Sequence, residues 1–141
     1  MKVYLAARYS RREELCGYRA RLEEMGHEVT SRWLHGQHQA LDEELVTRPE
    51  LAGRLAADDV EDIEDCQMLV AFTEVPRAGP TRGGRHVEFG IALQLRPVIA
   101  AVVVGPVENV FHMLAAVRFE TAEEWLKAME RWPGLSLDGA A

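Results

Sequence analysis

A doubly wound α/β sandwich is the fold this sequence predicts, and two observations predict it. The apolar runs at 68–72 and 98–104 are continuous instead of alternating, as strands buried on both faces of a parallel sheet must be. Strand-like runs also alternate along the chain with apolar stripes at three- and four-residue spacing, the order expected when helices cross between parallel strands. At 141 residues the chain suits one domain, able to bury about two thirds of its unfolded surface. We expect that domain to occupy residues 1–132, with 133–141 as a flexible C-terminal tail.

Residues 3–7 read as a short apolar first strand, and Ser10-Arg11-Arg12-Glu13 has the form of a capping box opening a helix. Leu15, Tyr18, Leu22 and Met25 give that helix one apolar stripe, and Gly26 closes it. Residues 27–33 are expected as a second strand, and 34–49, polar with two histidines, as a loop with one helical turn around Leu41 to Val46 that could cover a site. Leu51, Leu55, Ala56, Val60 and Ile63 mark the next helix, before the buried strand 68–72. Prolines and glycine between 73 and 81 make a loop, and a helix from Gly83-Gly84 runs to Leu95, ended by Arg96-Pro97. Strand 98–104 follows, then a short helical piece at 109–114 and a last strand at 117–119. Thr121-Ala122-Glu123-Glu124 opens a final helix with Trp125, Met129 and Trp132 on one side. Five strand-like runs thus predict a parallel sheet of the flavodoxin-like or Rossmann-like kind, with helices on both faces.

The net charge of −7 argues against a broad phosphate-backbone footprint, so nucleic acid is not the expected partner. Cys16 and Cys66 sit in helix-like patterns without framework spacing, as reduced thiols of a cytoplasmic protein do. No apolar run approaches the ~20 residues of a membrane span, and the N-terminus lacks a signal-peptide layout. His35 and His38 have no carboxylate or cysteine in a ligand pattern beside them, and neither a metal nor another cofactor is expected. The first strand is followed by Ala6-Ala7-Arg8 and not by the acidic pair of a signalling receiver domain. Nothing supports a redox flavoprotein.

In doubly wound sheets ligands bind beyond the carboxyl ends of the strands, where strand order reverses. That rule gathers Ala6 to Arg12, Trp33 to His38, Thr73 to Glu88 and Gly105 to His112 at one edge. Within it, Gly83-Gly84-Arg85-His86-Val87-Glu88-Phe89-Gly90 is the most informative stretch. The two glycines let backbone approach a ligand, and a helix N-terminus favours negative charge, so Glu88 is the candidate nucleophile, expected ionised. An exposed glutamate at an ordinary helix start is the competing reading. Asp59 shares a helix face with Leu55 and Ile63, whereas Asp58, Glu61, Asp62 and Asp65 can point to solvent; a boundary aspartate is again the alternative. Two carboxylates at one pocket suit glycosidic chemistry, where one attacks the anomeric carbon and the other exchanges a proton with the leaving group.

Arg8, Ser10, Arg11 and Arg12 open a helix against its dipole unless an anion such as a 5′-phosphate is bound, the alternative being a solvated turn. Trp33, with His35 and His38, is placed to line a base pocket, where an aromatic face stacks on a base. His86 and Arg85 either touch substrate or face solvent.

Strand-borne Tyr4, the Asp59-Val60 helix before an apolar strand, and Gly-Gly-x-x-x-Glu88-x-Gly90, in that order, resemble the nucleoside 2-deoxyribosyltransferase family, and the nucleotide N-glycosidases of its superfamily, over residues 2–129. The resemblance implies that Glu88 attacks the sugar C1′ and forms a glycosyl ester, that Asp59 serves the departing base, and that Tyr4 orients the Glu88 carboxylate. It also implies a nucleoside or nucleotide and a nucleobase as ligands and a homodimer or larger assembly. Ala6-Ala7 stands where the nucleotide-cleaving relatives have a glycine-rich phosphate loop. Transfer to another base is the leading expectation, transfer to water the alternative, and a non-catalytic nucleotide-sensing module on the same scaffold the rival from another class.

Overall fold

A computed structural model describes residues 1–76, 79 and 82–132; the expected tail at 133–141 lies outside the described residues. Five parallel strands form one sheet: β1 (Lys2–Ala6), β2 (Glu28–Val29), β3 (Met68–Phe72), β4 (Ala100–Val104) and β5 (Val117–Phe119), in the order β2-β1-β3-β4-β5. Strand order reverses between β1 and β3, which pair from Val3↔Met68 to Ala6↔Ala71. The crevice beyond their C-terminal ends is therefore where a doubly wound sheet takes a ligand.

The helices are α1 (Arg12–Glu24), α2 (Glu44–Thr47), α3 (Pro49–Glu64), α4 (Gly84–Gln94) and α5 (Ala122–Glu130). α1 packs with α5 and α3 with α4, giving the two helical layers that bury the sheet. β3 is buried along its whole length, which is why its sequence is uninterruptedly apolar. Trp125 and Met129, on α5, are fully buried beneath the sheet, Trp125 meeting Phe72 edge-on. Neither presents apolar surface to solvent. Thr121 caps α5 through its side-chain oxygen, which accepts from Glu124 N.

Three local expectations are corrected. The second strand is only Glu28–Val29, because the Ser31 hydroxyl takes the Leu5 amide at 2.7 Å and the chain then turns into a 3-10 helix at Arg32–His35. The side chain of Ser10 caps nothing: Tyr9–Arg11 is a 3-10 turn, and α1 begins at Arg12 without a side-chain cap. Asp62 does not face solvent. It is buried, with its carboxylate accepting from Arg32 N and Nε at 2.9 and 2.8 Å, which ties α3 to the turn carrying Trp33.

Gly105, at the end of β4, has φ of 116°, and a Cβ there would stand 2.6 Å from Thr73 Oγ1. That hydroxyl is itself bonded to Pro106 O at 2.6 Å, so it has little room to retreat. Gly105→Ala combines a left-handed backbone with a clash, and is expected to destabilise the fold by about 3 kcal/mol, measured by denaturant unfolding.

Candidate active site

A cavity of about 630 Å³ opens at the crevice beyond β1 and β3, and both candidate carboxylates line it. Arg8, Tyr9 and Ser10 come to its wall from the turn after β1, Trp33 and His38 from the segment after β2, and Gly83, Gly84 and Glu88 from the start of α4. α3 contributes Ala52, Leu55, Ala56 and Asp59. Part of the apolar stripe of α3 is thus cavity wall and not core, which explains why its only buried apolar residue is Ile63.

Glu88 lies one turn beyond the Gly83-Gly84 entrance, with Gly83 in the left-handed conformation at φ of 81°. The Tyr4 hydroxyl, buried within β1, donates a hydrogen bond to its carboxylate. Sequence reasoning expected the helix N-terminus to keep Glu88 ionised. Burial outweighs that effect: removal from water pushes its pKa up to about 8, against the lowering effect of the Tyr4 bond, and the nearby Asp59 charge adds to the rise. Tyr4 itself is held neutral, its pKa well above the ordinary value through burial first and the Glu88 charge second.

Asp59 is half-buried, and its Oδ1 lies 3.0 Å from His38 Nε2. Burial raises its pKa, while the His38 ring works in the opposite sense. Trp33 is buried on the same wall with its indole nitrogen donating to Leu5 O at 2.8 Å, and the Tyr9 ring is tilted against it at 5.9 Å. These rings give one side of the cavity the aromatic surface that a planar base requires.

Three residues expected to bind substrate lie off the wall. Ala6 is fully buried inside the sheet. Arg11 turns away: its guanidinium bonds both oxygens of Glu14, at 2.9 and 2.7 Å, and Glu74 Oε2 at 2.7 Å, because acidic partners stand closer than the cavity. His86 faces the loop after β4, with Nδ1 3.3 Å from Asn109 Nδ2 and Nε2 3.6 Å from Glu108. Arg8 remains on the wall and is 3.7 Å from Glu74 Oε1.

Two arginines beside the glycine pair are fixtures of this site: Arg82, which the sequence reading passed over, and Arg85, which is buried and does not face solvent, one of its two expected readings. Arg82 reaches across the cavity mouth, bonding Ala40 O at 2.6 Å and pairing with Asp42 at 2.6 Å. Arg85 is buried and pairs through both terminal nitrogens with Glu108, Nη2 to Oε2 at 2.7 Å, fastening the first turn of α4 to the loop after β4. Their position next to Gly83-Gly84 was a visible signal. Their partners, up to 42 residues away, were not.

The chain has the flavodoxin-like fold of the nucleoside deoxyribosyltransferases. Among solved structures it is similar to a 2-deoxyribosyltransferase from Bacillus psychrosaccharolyticus, with a TM-score of 0.71 and 16% identity over 97% of this chain and 96% of that one. It is also similar to a CMP N-glycosidase from Clostridium botulinum, with a TM-score of 0.55 and 21% identity over 94% of this chain and 100% of that one. No protein-family model and no curated protein matches the chain. At these identities the likeness is one of fold.

Proposed function

We propose that this protein cleaves the N-glycosidic bond of a nucleoside or its 5′-monophosphate through a glycosyl ester on Glu88 and passes the sugar to another nucleobase. The observation that carries this reading is the meeting of Glu88, bonded by Tyr4, and Asp59 on one cavity wall. One carboxylate can then face the anomeric carbon while the other end of the cavity serves the departing base and its proton. Water as acceptor is the second form of the same chemistry, and the two similar structures, one a transferase and one a glycosidase, support each in turn.

Incubating a 2′-deoxynucleoside with and without adenine separates the two forms. A new nucleoside means transfer, and free base alone means hydrolysis. A 2′-fluoro nucleoside should leave a covalent adduct visible by intact mass, lost in Glu88→Ala. Binding without turnover or adduct would instead favour a sensing module. Assembly into a homodimer or larger is part of the proposal, to be read from sedimentation.

The proposal fixes the sign of a pH effect. With Glu88 protonated below about 8, kcat/KM of the free enzyme toward a donor whose base leaves without taking up a proton should climb as pH rises through that value. Tyr4→Phe removes the bond that favours the ionised form, so the ascending limb should move to higher pH. A limb that stays in place would deny Tyr4 its role.

A further inference from the structure

The segment after the 3-10 turn at Arg32–His35 carries a strained bend. Gly36 has φ of 91° and Gln37 φ of 56°: two consecutive residues in the left-handed region, the second of them not a glycine and so strained. The bend turns the chain so that His38 reaches the cavity wall with Asp59 and Glu88. There its side chain is 11% exposed, with Nε2 3.0 Å from Asp59 Oδ1, and Nδ1 has no hydrogen-bond partner among the described residues. Just beyond, Arg82 clasps Ala40 and Asp42. A bend fixed at both ends holds one ring still, as a reacting group must be held.

We propose that His38 is the acid that protonates the departing base, with Asp59 behind it as orienting partner; this rests on the N-glycosidic reading above. The arrangement is the carboxylate–imidazole relay of hydrolytic triads, in which the carboxylate fixes the ring and offsets its positive charge. Histidine is the side chain that most often serves enzymes as a general acid. As the C1′–N bond breaks, its electron pair goes to the base, and a Glu88 oxygen bonds C1′. The Nδ1 proton passes to the base, and the ring, now neutral, keeps its Nε2–H on Asp59. When an incoming base or water attacks C1′, Glu88 departs as carboxylate and His38 recovers a proton from the acceptor.

The test compares 2′-deoxyadenosine with N7-methyl-2′-deoxyguanosine, whose base leaves without accepting a proton, in wild type, His38→Ala, His38→Gln and His38→Gln/Asp59→Asn. Both single variants should lose roughly 10²- to 10⁴-fold with deoxyadenosine and less than about tenfold with the methylated donor. Added imidazole should restore part of the His38→Ala loss, and the double variant should be no slower than the slower of His38→Gln and Asp59→Asn, each measured alone beside it. His38→Gln keeps an amide for Asp59, and melting curves verify that it folds. Equal losses with both donors, or no loss, overturn the role of His38. A wild type that cleaves neither donor and forms no 2′-fluoro adduct overturns the N-glycosidic reading itself, and the proposal with it.

Discussion

Replacing Glu88 is expected to abolish glycosyl transfer while making the protein harder to unfold at alkaline pH. On the proposed reading Glu88 is the covalent nucleophile, and its loss removes the reaction path itself, so Glu88→Ala and Glu88→Gln should lose on the order of 10⁴-fold or more in turnover, read with any donor the wild type accepts. The stability effect follows from linkage. Between the ordinary glutamate value of 4.5 and about 8, the native state holds a proton that the unfolded chain has already released, so stability falls as pH rises through that window. Glu88→Gln has no such proton to lose. Its melting temperature should match the wild type near pH 5 and exceed it by roughly 5 °C at pH 9. Identical melting curves at both pH values would mean that the carboxylate is not desolvated.

Asp59→Asn is the second large effect, and its size should depend on the donor. The substitution preserves shape and removes charge, leaving the His38 ring without the carboxylate that lies 3.0 Å from it. Cleavage should slow by roughly 10²- to 10⁴-fold for bases that leave poorly without a proton, and far less for bases that leave well. A uniform loss across donors would assign Asp59 to positioning alone. Because the carboxylate is half-buried, the asparagine is also expected to be tolerated by the fold, which circular dichroism checks.

Much of the architecture was legible because it depends on patterns that lie within one element. The runs 68–72 and 117–119 are strands with those same bounds, and the glycine pair does open α4. What was not legible depends on which side chains meet after folding. Ser31 shortens β2 by offering a hydroxyl to Leu5 from 26 residues away, and Arg32 draws Asp62 inward across 30. Helical phase placed Asp59 beside an apolar stripe but not beside His38. In the same way, position near a helix start described the charge preference of Glu88 correctly in isolation, and said nothing of how much water the folded chain would take from it. Arg11 illustrates the opposite error: a cation in a suggestive place, committed to Glu14 and Glu74.

The bend and clasp at 36–42 carry one further consequence. On the proposed reading, Glu88 would attack from a helix braced by a β-strand tyrosine and a buried arginine, whereas the wall that would face the base includes a loop anchored by two contacts of Arg82. Bond-making and substrate choice would then reside in parts of the chain that can diverge independently. Exchanging that loop for one of another sequence should re-tune which heterocycle is accepted while the sugar-handling half goes on working unchanged.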